Sequence, residues 1–129
     1  MSVIGEVYTL WKEWKDDKIR LLVKVARFMA TDGRTGKVVT ISNIGKRPTS
    51  IMEVFVPFLN SDLRIVLKPD TSLNDKLLPC LVSCGDVFCI HVPCDRIDQK
   101  EVSSIGNVTV RISTGQLIEG PRLFDDQGL

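Results

Sequence analysis

Residues 37–58 read KVVTISNIGKRPTSIMEVFVPF, and the fold turns on this stretch. Residues 37–42 and 51–56 have the composition of two buried strands, and residues 43–48, NIGKRP, form a tight polar corner between them. Met52, Val54 and Val56 fall on one face at a period of two, while Ile51 and Phe55 add apolar surface to the other. A strand that is apolar on both sides belongs in the middle of a sheet. Pro57 then removes a backbone donor and ends the pairing. In the corner, Asn43 can bond its own backbone in an Asx turn, Gly45 can take a positive φ, and Pro48 stiffens the chain. The corner is expected to cross from one sheet to another. Its adjacent cations, Lys46 and Arg47, could hold an anion, but two charges on a solvated turn are the simpler reading.

Upstream, Ile19, Leu21, Val23 and Val25 alternate with Arg20, Leu22, Lys24 and Ala26, which predicts a strand over residues 19–29. Residues 31–36, TDGRTG, are a turn. Before residue 19 the period lengthens. Val3, Val7, Leu10, Trp11 and Trp14 make one apolar stripe at helical spacing, opposite Lys12, Glu13, Lys15, Asp16 and Asp17. The spacing predicts an amphipathic helix over residues 3–17. Two tryptophans on so short a helix need cover, supplied by the domain body, by a partner or second copy, or by a membrane interface.

Downstream, short strands are predicted at 63–67, 77–81, 87–92, 106–113 and 116–123, with the polar connection 68–76 and the turn at Gly85-Asp86 between them. Seven or eight strands at spacings of roughly 8–14 residues describe an all-β domain, an Ig-like antiparallel β-sandwich. The chain divides into an N-terminal helix (1–17), a sandwich (18–124) and a flexible tail (125–129).

At 129 residues the chain suits one domain able to bury a core without staples. Lys plus Arg number 17 against 16 for Asp plus Glu, a balance that gives no broad electrostatic reason to bind nucleic acid. No stretch has the roughly 18–20 continuous apolar residues of a membrane span, and the first residues lack the pattern of a signal peptide. The expectation is a cytoplasmic chain with no cofactor.

The sharpest chemical constellation is CLVSCGDVFCIHVPC, residues 80–94, which holds Cys80, Cys84, Cys89, Cys94 and the lone histidine, His91. On a strand from residue 87, Cys89 and His91 share a face, while Phe88, Ile90 and Val92 take the other. A Cys₃His zinc site could be drawn from these residues, but the repeated CxxC spacing that marks one is missing. Disulfides among the four allow three full pairings. Reduced thiols on a hairpin are the favoured reading. A Cys–His nucleophilic pair would need an orienting group and an oxyanion site, and nothing in the sequence completes the set. The carboxylate pairs Asp16-Asp17 and Asp125-Asp126 read as solvated neighbours, and the Gly33–Gly36 turn is no phosphate loop.

The order of features resembles a group of small uncharacterised bacterial proteins with an N-terminal membrane anchor, an aromatic-basic juxtamembrane stretch and an Ig-like β-sandwich domain. The matching pieces are Tyr8 to Trp14 (YTLWKEW), the strand from Ile19 to Val25, the Asn-x-Gly-Lys-Arg-Pro corner, Leu78-Pro79, Gly85-Asp86 before Phe88, and Ser113-Thr114-Gly115. The resemblance covers about residues 8–123 and implies a fold and a membrane-associated setting; it carries over no activity and no catalytic residue. This chain departs from the pattern in lacking the membrane helix, so membrane association would need a missing or partner-supplied anchor.

Taken together, these features predict a non-enzymatic interaction module that binds a protein partner or self-associates through its N-terminal helix, at Val7, Leu10, Trp11 and Trp14. A metal- or redox-responsive protein using Cys80, Cys84, Cys89, His91 and Cys94 is the alternative from another class. A mobile-element-encoded inhibitor or immunity protein, bacterial or phage, is a third.

Overall fold

A computed structural model describes residues 3–5, 9–15, 19–94 and 104–124. Among these residues the chain forms ten strands: β1 (Val3–Gly5), β2 (Thr9–Lys15), β3 (Arg20–Ala30), β4 (Thr35–Asn43), β5 (Thr49–Pro57), β6 (Arg64–Val66), β7 (Cys80–Val82), β8 (Val87–Pro93), β9 (Asn107–Ile112) and β10 (Leu117–Arg122). A 3-10 turn, Thr71–Leu73, lies between β6 and β7. The strands lie in two antiparallel sheets, so the chain is all-β. None of the described helical turns is long and apolar enough to cross a membrane. The tail over 125–129 lies outside the described residues.

Each sheet is organised by one long strand with a divided neighbour. In the first sheet β3 pairs with β4 on one side, and β4 continues to β8. The other side of β3 is shared, with β2 opposite its first part and β1 opposite Met29 and Ala30. In the second sheet the order runs β10, β9, β5, and the far side of β5 is shared by β7 and β6. The central placement expected for residues 51–56 is therefore what is found. Their face assignment is not: the pairing with β9 shifts register between Ile51 and Glu53. That extra residue puts Ile51 into the core with Val54 and Val56 and leaves Met52 half-buried. A period-two reading cannot be carried across a bulge.

The N-terminal helix expected over 3–17 is not present. Thr9–Lys15 is a strand paired residue for residue with β3, from Thr9 opposite Ala26 to Lys15 opposite Arg20. Positions 11 and 14, three apart, share a face on a helix but not on a pleated strand. The reason lies outside the segment: β3 offers eleven residues of extended backbone, and its ladder groups on that side must be satisfied. Trp, Thr and Leu suit a pleated surface well enough to supply the partner.

The two sheets share one core. Leu21, Val23, Val25, Val39, Ile41, Phe88 and Ile90 from the first meet Ile51, Val54, Val56, Val108, Val110, Ile112 and Ile118 from the second. Apart from Ile51, brought in by the bulge of β5, these are the alternating apolar positions of their strands. β10 passes so close to β3 that a side chain on Gly120 would begin 2.8 Å from Val23 Cγ1. Gly120→Val should therefore overpack this seam. The expected cost is about 2 kcal/mol, seen by calorimetry as a drop of roughly 6–10 °C in the unfolding midpoint.

The corner at 43–48 carries the chain from β4 in the first sheet to β5 in the second. Asn43 is wholly buried and every polar group on it is used. Its Oδ1 accepts from Gly45 N (3.0 Å), the expected Asx turn, and its Nδ2 donates to Arg47 O (2.7 Å) and Val82 O (2.9 Å). Its own N–H donates to Asp86 O, and its carbonyl accepts from Gly85 N. Asn43 thus ties the corner to the β7–β8 turn. Gly45 does not have positive φ. It is small because a Cβ there would lie 3.0 Å from the backbone nitrogen of Arg20, whose carbonyl accepts from both Ile44 N and Gly45 N. Lys46, Arg47 and Pro48 are exposed, as a solvated turn requires.

Candidate functional site

The outer face of the first sheet carries one member or more of each group singled out by sequence: Trp11 on β2, and Cys89 and His91 on β8. Strand register lays them out in three rows from β2 through β3 and β4 to β8: Thr9, Ala26, Val38, His91; then Trp11, Lys24, Thr40, Cys89; then Glu13, Leu22, Ser42, Val87. Phe88, Ile90 and Val92 face the main core, and His91 and Cys89 share the opposite face, as the alternation predicts.

The first row is covered at Ala26, Val38 and His91. Residues 68–76 fold over it as a strap, and Leu73 is buried against a second, smaller cluster of Ala26, Phe28, Ala30 and Val38, with Cys89 packed beside it. Two aspartates close the strap. Asp70 caps the 3-10 turn by accepting from Ser72 N (3.0 Å), and Asp75 Oδ2 accepts from Asp70 N (2.9 Å). Asp75, almost fully buried, also fastens the strap to β8. The same Oδ2 accepts from His91 N (2.8 Å), and Oδ1 lies 2.6 Å from His91 Nδ1. A carboxylate can only accept, so the ring proton is assigned to Nδ1. The edge of Phe28 meets the imidazole at 4.9 Å between centroids.

A second fastening lies nearer the surface. Arg34 donates to Asp70 Oδ2 (3.3 Å) and Ser72 Oγ (2.9 Å), and also to Asp32 Oδ2 (2.7 Å). The backbone N–H of Arg34 holds the Asp32 carboxyl below its ordinary pKa, with the guanidinium adding to the effect.

His91 is thus oriented by an aspartate, an arrangement that serves both catalysis and structure. Here all three donors on Asp75 belong to the strap and to β8, so the pair acts as a clasp. The cysteines do not join it into a ligand set. Cys80 lies on β7 opposite Ile51, Cys84 is exposed in the following turn, Cys89 lies 3.7 Å from Thr40 Oγ1, and Cys94 Sγ lies 3.8 Å from Thr35 Oγ1. All four are free thiols. Among the described residues, no three His, Cys, Asp or Glu side chains are grouped to hold a metal ion.

The second and third rows are open at the β2 end. Trp11 is 64% exposed beside Lys24, its register partner, and Lys12 and Lys15 are exposed along the same strand. Glu13 pairs with Arg20; the hydrogen bond from the guanidinium lowers the carboxyl pKa, and the same bond raises that of Arg20. Leu10 and Trp14 stand on β2 opposite Val25 and Leu21. Val7 lies outside the described residues.

Sequence reading missed Asp75 and Asp70. The available signal was a lone leucine, Leu73, inside an otherwise polar connection flanked by aspartates, which marks a loop folded back onto the body.

No protein-family model, no curated protein and no solved structure matches this chain.

Proposed function

We propose that this chain is a non-enzymatic interaction module that binds a protein partner through the β2 side of its first sheet, with Trp11 as the anchor. The observation that carries this reading is the exposure of Trp11 on a flat row with Lys24, next to the part of the sheet that the strap leaves open. Tryptophan is enriched among residues that dominate binding energy, because it offers large rigid area at low entropic cost. A histidine already engaged by a buried aspartate and packed under a strap supports a structural role for the His91 face.

We also infer that the scaffold is an Ig-like sandwich. Its connectivity supports this: β3, β4 and β8 neighbour one another as strands A, B and E do in that fold, and β5, β9 and β10 as C, F and G do. β2 is then an addition outside the first strand.

The test compares full-length protein with Trp11→Ala in cross-linking and capture from the source cell, alongside sedimentation equilibrium. The variant is expected to lose the partner held by the parent while its unfolding midpoint stays within a few degrees, since the side chain is largely solvated. An unchanged set of captured proteins would overturn the reading. Loss of a concentration-dependent dimer in place of a partner would make the surface one of self-association.

A further inference from the structure

The second sheet has its own outer face, turned away from the strap and from Trp11. On β5, Val54 and Val56 are core residues, so Glu53 and Phe55 point outward. Register sets Thr109 and Arg111 of β9 beside them on one side and Val66 of β6 on the other. Phe55 is nevertheless buried, in part because the Arg64 guanidinium lies over its ring, with the central carbon 4.5 Å from the centroid. Stacking on an aromatic ring fixes the plane of a guanidinium while leaving its N–H edge available.

Glu53 stands between two arginines. Arg64 Nη2 lies 3.0 Å from its Oε1, and Arg111 Nη2 lies 3.9 Å from its Oε2. Neither contact is a directed hydrogen bond: Oε1 is buried with no donor aimed at it, and 3.9 Å is too long for one. Arg20, Arg34 and Arg122 donate hydrogen bonds to the protein. Among the described residues, Arg64 and Arg111 are held to Glu53 by charge alone, and both side chains remain well exposed. Two guanidiniums thus share one carboxylate, and the cluster keeps a net positive charge with donors unspent. Exposed apolar side chains flank it: Leu117 on β10 opposite Arg111, and Val66 two residues along β6 from Arg64. Glu119, the next outward residue of β10, accepts from Asn107 Nδ2 (2.6 Å) and marks the limit of the basic field.

We propose that this face is a second docking surface, separate from the one centred on Trp11, and that it takes a segment of a partner protein in which a carboxylate sits between apolar residues. The carboxylate accepts from the outer N–H groups of Arg64 and Arg111, and its apolar neighbours pack on Val66 and Leu117. Charge complementarity selects this occupant. An apolar or basic segment would strip water from two guanidiniums without giving them an acceptor, a cost that a carboxylate removes. Arg64 is already aligned by Phe55 and Glu53, so it has little rotamer freedom left to lose on binding.

The probe is a capped leucine–glutamate–leucine peptide, with a glutamine-for-glutamate counterpart, titrated into full-length ¹⁵N-labelled protein. The glutamate peptide is expected to move the side-chain Nε–H signals of Arg64 and Arg111 and to bind about tenfold more tightly than the glutamine peptide. Arg64→Gln combined with Arg111→Gln should erase that preference. Glu53→Gln, which keeps the shape of the side chain but removes its competing charge, should tighten the glutamate peptide about threefold; a gain of binding cannot come from misfolding. The proposal fails if the two peptides bind alike, if Glu53→Gln weakens binding, or if inorganic phosphate at equal concentration moves the same signals as far, which would reduce the site to one for any anion. Trp11→Ala should leave the titration unchanged. Loss of peptide binding in that variant would place the peptide on the first sheet and overturn the proposal, whereas loss of partner capture alone bears only on the surface around Trp11.

Discussion

Asn43→Ala should destabilise the protein by about 3–5 kcal/mol, read as a fall in the urea midpoint with the slope unchanged. The side chain makes three hydrogen bonds in a site from which water is excluded, two donated from Nδ2 and one accepted at Oδ1. Alanine removes all three and strands the Val82 carbonyl, whose partner is buried with it. A bond to the protein replaces one to water and nets roughly 1 kcal/mol, but a buried group left without a partner costs about 1–3 kcal/mol. The sum is a large fraction of the roughly 5–15 kcal/mol that holds a domain together. Asn43→Asp tests the assignment of donors. It keeps the acceptor toward Gly45 but presents oxygen to the carbonyls of Arg47 and Val82, so it should be at least as damaging as alanine. A stable Asp variant would mean that the two Nδ2 bonds do not hold the corner.

Asp75→Ala is expected to cost about 2–4 kcal/mol and to free the strap. Its carboxylate receives Asp70 N, His91 N and His91 Nδ1, and all three lose their acceptor together. Hydrogen exchange should then become fast over residues 70–76 while β3, β4 and β5 keep their protection, because the strap covers only the smaller cluster around Leu73. Asp75→Asn should be milder for a specific reason. Its oxygen can serve the two backbone N–H groups, and its amide can donate to His91 if the ring moves its proton to Nε2. Imidazole ¹⁵N shifts would report that tautomer change directly. Equal damage from Asn and Ala would show that the carboxylate charge, and not the acceptor geometry, fastens the strap.

The strands of the body were legible because their signal is local. Residues 19–29 and 87–92 alternate at a period of two, and each strand was found within a few residues of its expected place. The corner was legible for a similar reason: Asn43 bonds Gly45 two residues on, a contact that short-range chemistry dictates. The rest of its role was hidden, since Val82 lies 39 positions away and its carbonyl becomes a partner only when β7 pairs with β5. The cysteine cluster shows the converse. Closeness in sequence suggested a shared site, yet the thiols are distributed over β7 (Cys80), the following turn (Cys84), β8 (Cys89) and the position just after β8 (Cys94).

Residues 9–15 mark the boundary most clearly. Their apolar spacing satisfies a helix, and taken alone the segment has no reason to be a strand. The edge of β3 decided otherwise, because a ladder of backbone donors and acceptors on a long strand is worth more when paired than one short helix stabilised by its own turns. The sequence by itself determined the all-β body, the core faces of β3 and β8 and the turn at 43–48, where periodicity and turn chemistry act over a few residues. Only the tertiary structure decided that Trp11 stands exposed on the outer face of the first sheet and that His91 is clasped by Asp75. Those outcomes depend on pairings and burial between segments far apart in the chain, and no local pattern encodes them.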